Sequence, residues 1–201
     1  MMERLPLSKN RDNGTNGMVR ILTVLATLTS LALLGSFGLG LMQLAQTSPT
    51  LSPSWLLSAH IIVGLVTAVL VLLVHCLVFT YFLGTGRWVR EVAQAYALPA
   101  HETTQPARQF KRQAYPPMMT AMVLTIATVG TGAASHTDPE SWVGLTHPIF
   151  SVLTLLTNGW AFYRQWHAVR DNQHLLDRIM SLVQARRAPN FQTTSTPSAS
   201  S

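Results

Sequence analysis

Residues 55–83 read WLLSAHIIVGLVTAVLVLLVHCLVFTYFL and form a long apolar block. The block contains no Asp, Glu, Lys or Arg, and its only histidines are His60 and His75. About 20 apolar residues in a helix cross the hydrocarbon core of a bilayer, and this block is longer than that. A helix also satisfies its own backbone hydrogen bonds where no water is present. The block therefore predicts a transmembrane helix that tilts or projects beyond the membrane.

Three more apolar blocks, at residues 21–42, 116–134 and about 145–163, have the same character. The 201-residue chain is 48% hydrophobic and has a mean hydropathy of +0.25. Only 11% of its residues are charged, against about 25% in an average soluble domain. This composition excludes a disordered chain and argues against a soluble protein. We expect an all-α membrane domain over residues 21–166, with four transmembrane helices running up, down, up and down.

The basic residues indicate the orientation of this domain. All 14 lysines and arginines lie before the first block, between the second and third blocks, or after the fourth. The connecting segments at about 43–54 and 135–146 contain none. By the positive-inside rule, both termini are therefore expected in the cytoplasm. The expected location is the bacterial cytoplasmic membrane, with the lipid bilayer as the first partner. The first block is too long for a cleaved signal peptide, so we expect it to be retained.

The loop predicted at residues 84–115 carries a helical pattern of its own. Residues 84–86 are Gly-Thr-Gly, a sequence typical of a helix end. Trp88, Val92 and Tyr96 then recur at every fourth position, which predicts a short helix lying at the cytoplasmic interface.

The terminal segments differ from one another in pattern. Residues 1–20 form a basic cytoplasmic segment, and residues 167–187 predict a cytoplasmic helical extension. Its apolar stripe can pack on the interface helix, on another membrane subunit or on a second copy in a homodimer. The stripe consists of Leu175, Leu176, Ile179, Leu182 and Val183. The tail at 188–201 is rich in Ser, Thr and Pro and is expected to be disordered.

The polar groups inside the four blocks are the candidate functional residues. None of the blocks contains Asp, Glu, Lys or Arg, which weakens a third interpretation as a small proton-coupled transporter. His60 and His75 lie about 22 Å apart along the second helix and about 60° apart around it, so they share a broad face. The fourth block carries a polar face that begins at His147 and continues through Ser151, Thr154 and Asn158. Given the orientation, His60 and His147 are expected at similar outer depths.

This arrangement resembles that of membrane b-type cytochromes, in which histidines of facing helices hold haem near the two sides of the membrane. The resemblance covers only the histidine spacing and the small-residue face of the second helix. It implies that His60 and His147 are the axial ligands of one haem b iron at the outer side. His75 would serve a second haem, opposite His167 or a methionine of the third block. The fourth block departs from the pattern, because it has no second histidine at the matching inner depth.

Packing alone offers a second interpretation of the same residues. Histidine, serine, threonine and asparagine also join membrane helices by hydrogen bonds. Sites for quinone, lipid or a metal ion are further alternatives. His136, Asp138 and Glu140 offer three metal ligands in one acidic segment, although a turn or a helix cap is the more ordinary role.

Two classes of function follow from these alternatives. We find no hydrolase, phosphate-loop, zinc-protease or nucleic-acid-binding motif, so we expect neither catalytic residues nor a nucleic-acid partner. The first class is therefore a non-enzymatic structural or accessory subunit of a membrane complex. The second is a haem-binding electron carrier that uses His60 and His147, with His75 as the next candidate ligand.

Overall fold

The computed structural model describes residues 17–45, 54–138 and 140–193, and helices account for nearly all of these residues. In chain order they are α1 (Gly17–Leu44), α2 (Ser54–Ala95), α3 (Thr104–Thr137), the single-turn α4 (Trp142–Leu145) and α5 (His147–Thr193). No strand occurs within these described ranges. The all-α prediction is confirmed.

Three of the helices, α1, α2 and α3, are long and apolar enough to cross a membrane. Large apolar side chains such as Ile62, Val123 and Leu156 lie exposed on the outside of the bundle. Soluble monomers seldom expose so much contiguous apolar surface, whereas hydrocarbon accommodates it. With about 1.5 Å of rise per residue, α2 and α5 are about 63 and 70 Å long, well beyond the about 30 Å of a bilayer core.

Helices α1, α2, α3 and α5 pack side by side around a common core. α1 contacts α2 and α5, and α3 also contacts α2 and α5, with the most extensive interface between α3 and α5. The core near the middle of the bundle joins residues from all four helices, including Leu22, Val78, Met118 and Phe162.

One seam of α5 faces the centre of the bundle along nearly its whole length. The buried seam residues recur every three or four positions, and they are Thr154, Asn158, Ala161, Gln165, Ala168, Asn172, Leu175, Ile179 and Val183. This spacing is the one that two closely packed helices require. The polar face and the apolar stripe that the sequence suggested are thus two parts of the same seam.

The apolar part of this seam packs within the chain. Leu175, Ile179 and Val183 form a buried cluster with Val89 and Ala93 of α2, together with residues at the start of α3. The sequence suggested three partners for this stripe: the interface helix, another subunit or a second copy. The structure shows the first of them, the helical segment that follows residue 84. Leu175, Ile179 and Val183 are therefore covered within the chain, whereas Leu176 and Leu182 are half-buried.

The helix end expected at residues 84–86 was wrong, because α2 continues through both glycines to Ala95. Each glycine inside a helix costs about 1 kcal/mol relative to alanine. Burial of Val89 and Ala93 against α5 outweighs this cost, since apolar burial contributes about 25 cal/mol per Å². The interface helix is therefore the continuation of α2, not a separate element.

In place of the loop predicted at 84–115, the structure has a short turn between Ala95 and Thr104. Ala97 adopts a left-handed conformation with φ of 49°, and the Leu98 N–H donates to the Ala93 carbonyl oxygen at 2.9 Å. This is the Schellman arrangement, which normally uses glycine.

At the C-terminal end, α5 runs past residue 187 to Thr193, so the first part of the tail predicted to be disordered is helical. The rest of that tail lies outside the described residues, as does most of segment 1–20.

Candidate functional site

Two histidines meet at the end of the bundle that carries α4. His60 lies near the start of α2 and His147 is the first residue of α5. Their ring centroids are 6.2 Å apart, and the ring planes cross at 74°. The structure thus brings together the two residues that the sequence placed at similar depth.

Each of these rings is oriented by a backbone carbonyl of a neighbouring helix. His60 Nδ1 lies 3.2 Å from the Ser36 oxygen of α1, and His147 Nδ1 lies 3.1 Å from the Thr128 oxygen of α3. A carbonyl only accepts hydrogen bonds, so both Nδ1 atoms carry the proton and both Nε2 atoms carry a lone pair. We find no hydrogen-bond partner for either Nε2 among the described residues. Metal-binding histidines usually have this tautomer and this kind of support.

Glycines provide the space for both rings. A Cβ atom added at Gly40 of α1 would lie 3.0 Å from His60 Cε1, and one added at Gly132 of α3 would lie 2.9 Å from His147 Cε1. The distance at Gly132 is shorter than real Cβ contacts, and the distance at Gly40 is tighter than nine in ten of them. A larger residue at Gly40 or Gly132 would therefore take up space that the imidazole ring now occupies.

Two cavities flank the histidine pair. The inner cavity, of about 310 Å³, extends from the pair toward the middle of the bundle and reaches Thr67 and Leu155. The end cavity, of about 380 Å³, extends the other way and reaches Leu145 of α4. His60 and His147 line both cavities. Each volume is within the range of about 300–1,000 Å³ that is usual for small-molecule sites.

The inner cavity contains a buried hydroxyl that lacks a partner. Thr67 is 2% exposed, and we find no hydrogen-bond partner for its Oγ1 within the described part of the chain. The neighbouring Thr128 and Thr154 hydroxyls satisfy each other at 2.6 Å. A buried polar group without a partner is costly and indicates a bound molecule or water. The Thr67 hydroxyl is thus available to a ligand in this cavity.

His75 has a different environment from the pair. It is fully buried, with Nε2 donating to Asn158 Oδ1 at 3.0 Å and Nδ1 accepting from Gln165 Nε2 at 2.8 Å. Its ring stacks on Phe162 at 5.2 Å. Both ring nitrogens are therefore used in bonds between α2 and α5. A haem-ligand role for His75 stays a prediction, and it would require one of these hydrogen bonds to break.

The sequence had not singled out Gln165. It lies seven residues after Asn158 on the buried seam of α5, and it is fully buried. The seam spacing of three and four was the signal that would have found it, but the polar face had been followed only as far as the expected membrane boundary near Tyr163.

The remaining candidates do not join the pair in a larger cluster. His136 lines both cavities, whereas His167 packs edge-on against Tyr163 and Trp166 of its own helix. Within residues 17–45, 54–138 and 140–193, no group of three or more His, Cys, Asp or Glu side chains is arranged to hold a metal ion. The site is therefore defined by two imidazoles.

Fold and site together define a helical bundle with three membrane-length helices and a two-histidine cavity near one end. Comparisons with protein-family models, with curated proteins and with solved structures gave no match. The function is therefore argued from the site alone.

Proposed function

We propose that this protein binds one b-type haem between His60 and His147 and acts as a membrane electron carrier. The observation that carries this proposal is the convergence of two imidazoles, each with a protonated Nδ1 on a carbonyl and a free Nε2, on one pair of cavities.

The separation of the rings fits a shared iron atom. A metal lies about 2 Å from an imidazole nitrogen, and the ring centroid lies about 1 Å behind that nitrogen. Two imidazoles that both held one metal ion would therefore have centroids no more than about 6 Å apart. The observed separation is 6.2 Å.

The cavities suit a flat group held between the two rings. A plate placed between His60 and His147 would extend from the pair in both directions, and a cavity lies in each direction. The inner cavity is lined by apolar side chains together with hydroxyl groups, and the Thr67 hydroxyl has no hydrogen-bond partner among the described residues.

The ligand set favours electron transfer. Haem held by His60 and His147 would supply a one-electron redox couple. The chain's own contribution is to hold both imidazoles in one tautomer by the Ser36 and Thr128 carbonyls. Hydrogen bonds that fix the orientation of a ligating side chain lower the ordering cost of binding.

We further propose that α5 is a fourth transmembrane helix and that both termini are cytoplasmic. The segregation of all 14 basic residues supports this topology. In the same orientation the histidine pair lies near the outer side of the membrane, and α2, α3 and α5 project together into the cytoplasm.

A structural or accessory role in a membrane complex is the alternative proposal. One support for it was the apolar stripe of residues 175–183, of which Leu175, Ile179 and Val183 pack within the chain. An accessory role would therefore require another surface. It also gives no reason why the Nε2 atoms of His60 and His147 lack a hydrogen-bond partner among the described residues.

The test of the haem proposal is a visible difference spectrum. The full chain, purified in mild detergent from haem-replete cells, is expected to show a reduced-minus-oxidised spectrum of b type with one haem per chain. Haem content is measured by the pyridine haemochrome method against protein concentration. A colourless protein would overturn the proposal and leave the histidines as packing groups.

Substitution of the two glycines that contact the histidine rings gives a second expected result. Gly132→Ala or Gly40→Ala is expected to weaken haem binding by at least about tenfold, as displacement of a ligand-supporting contact usually does. The added methyl would meet the imidazole at Cε1. Gly130→Ala and Gly38→Ala are matched controls on the same helices, because nothing lies within 4 Å of a Cβ added there. Equal loss in the control variants would show an effect on the helices instead of on the site.

A further inference from the structure

A basic groove lies between α3 and α5, from the middle of the bundle toward the end opposite the histidine pair. It has a volume of about 730 Å³, and its lining includes Arg108 and Arg112 of α3 and Arg164 of α5. Glutamines of α3 line the same groove, so polar donors continue between the arginines. Among the residues that the structure describes, no acidic one takes part in its lining.

The three arginines form no ion pair within the described ranges. The ion pairs found there are Arg87–Glu91, His101–Glu102 and Arg178–Glu102, and none of them uses an arginine of the groove. Arg108 and Arg112 lie four residues apart on one helix face, a spacing at which like charges destabilise a helix. An anion bound in the groove would remove this repulsion.

The groove lies where the apolar part of the chain meets its basic part. Trp160, which is 52% exposed, and Pro117 line its apolar side. These residues belong to the third and fourth apolar blocks, close to the cytoplasmic ends expected for them. Exposed tryptophan is typical of the level of the lipid headgroups.

We propose that this groove binds the headgroup of one anionic phospholipid from the cytoplasmic leaflet. Arg108, Arg112 and Arg164 would hold the phosphate by charge-assisted hydrogen bonds, for which guanidinium groups are well suited. Trp160 would contact the upper part of the acyl chains. Basic pockets between transmembrane helices on the cytoplasmic side recognise headgroups in this way. The inference rests on the proposed topology and is independent of haem binding.

Native mass spectrometry of the full chain in detergent, with phosphatidylglycerol or phosphatidylcholine added, tests the proposal. Wild-type protein is expected to retain one phosphatidylglycerol and to bind phosphatidylcholine at least about tenfold more weakly. One basic residue near an anionic lipid contributes about fivefold in affinity. The triple variant Arg108→Gln, Arg112→Gln, Arg164→Gln is therefore expected to bind phosphatidylglycerol on the order of 100-fold more weakly.

The matched control removes the same charge elsewhere on the basic side. Arg20→Gln, Arg87→Gln, Arg90→Gln changes three exposed residues outside the groove and is expected to leave phosphatidylglycerol binding within about twofold of wild type. Equal weakening in both triple variants would show general surface attraction and overturn the groove site.

Inorganic phosphate distinguishes a lipid from a soluble anion. Displacement of the lipid by phosphate at low millimolar concentration would overturn a phospholipid as the occupant, whereas retention supports it. If the triple variant does not fold, the single variants decide. Each is expected to weaken binding about fivefold, and unchanged binding in all three would overturn the proposal.

Discussion

His147→Ala is expected to reduce the haem content of the purified protein to below about a tenth of the wild-type value, and His60→Ala is expected to do the same. Each substitution removes one of the two nitrogens proposed to bind the iron, and loss of a ligand costs more than loss of its supporting contact, which alone costs about 10- to 100-fold. The measurement is haem per chain by pyridine haemochrome. His136→Ala is the matched control, because His136 lines both cavities but has no ligand role in the proposal.

Methionine at the same position separates ligation from packing. His147→Met is expected to retain more haem than His147→Ala and to raise the reduction potential, because a histidine–methionine ligand pair raises it relative to two histidines. Retention of a wild-type spectrum in both alanine variants would contradict the assignment of the pair. Loss of haem in His136→Ala alone would identify His136, instead of the pair, as the haem ligand.

His75→Ala is expected to lower the free energy of unfolding by roughly 2–4 kcal/mol, which combines a cavity in the core with lost hydrogen bonds between helices. The substitution leaves Asn158 Oδ1 and Gln165 Nε2 without the partner they have now, and it removes the ring that stacks on Phe162. Unfolding in mixed detergent, followed by circular dichroism, gives the measurement.

The neighbouring Cys76 provides the control for this substitution. Cys76 is exposed on the outside of the bundle, so Cys76→Ala is expected to change stability by less than about 0.5 kcal/mol. Haem content in His75→Ala decides a second question. If the wild-type protein holds two haems and the variant holds one, then His75 is a ligand and the hydrogen-bonded arrangement described above does not persist in the holoprotein.

The errors in helix boundaries share one physical cause. The glycines at 84 and 86 were interpreted as the end of one helix, and the apolar block that begins with the prolines at 116 and 117 was interpreted as the start of the next. In the structure α2 passes through the first pair and α3 contains the second, because the residues beyond them are buried against α5. Local propensity is worth about 1 kcal/mol per glycine, and apolar burial in a helix interface exceeds it.

The amino-acid sequence alone was sufficient for the helical class and for the membrane-length apolar helices, because hydropathy is summed over neighbouring residues and needs no knowledge of contacts. It also singled out His60 and His147. The availability of their Nε2 atoms came from the packed bundle, since the carbonyls that bind Nδ1 lie 24 and 19 residues away along the chain. Both ring nitrogens of His75 are occupied instead, because they bond to Asn158 and Gln165, 83 and 90 residues away. Hydrogen-bond partners at such separations follow from how helices are rotated against one another, and no local pattern contains that rotation.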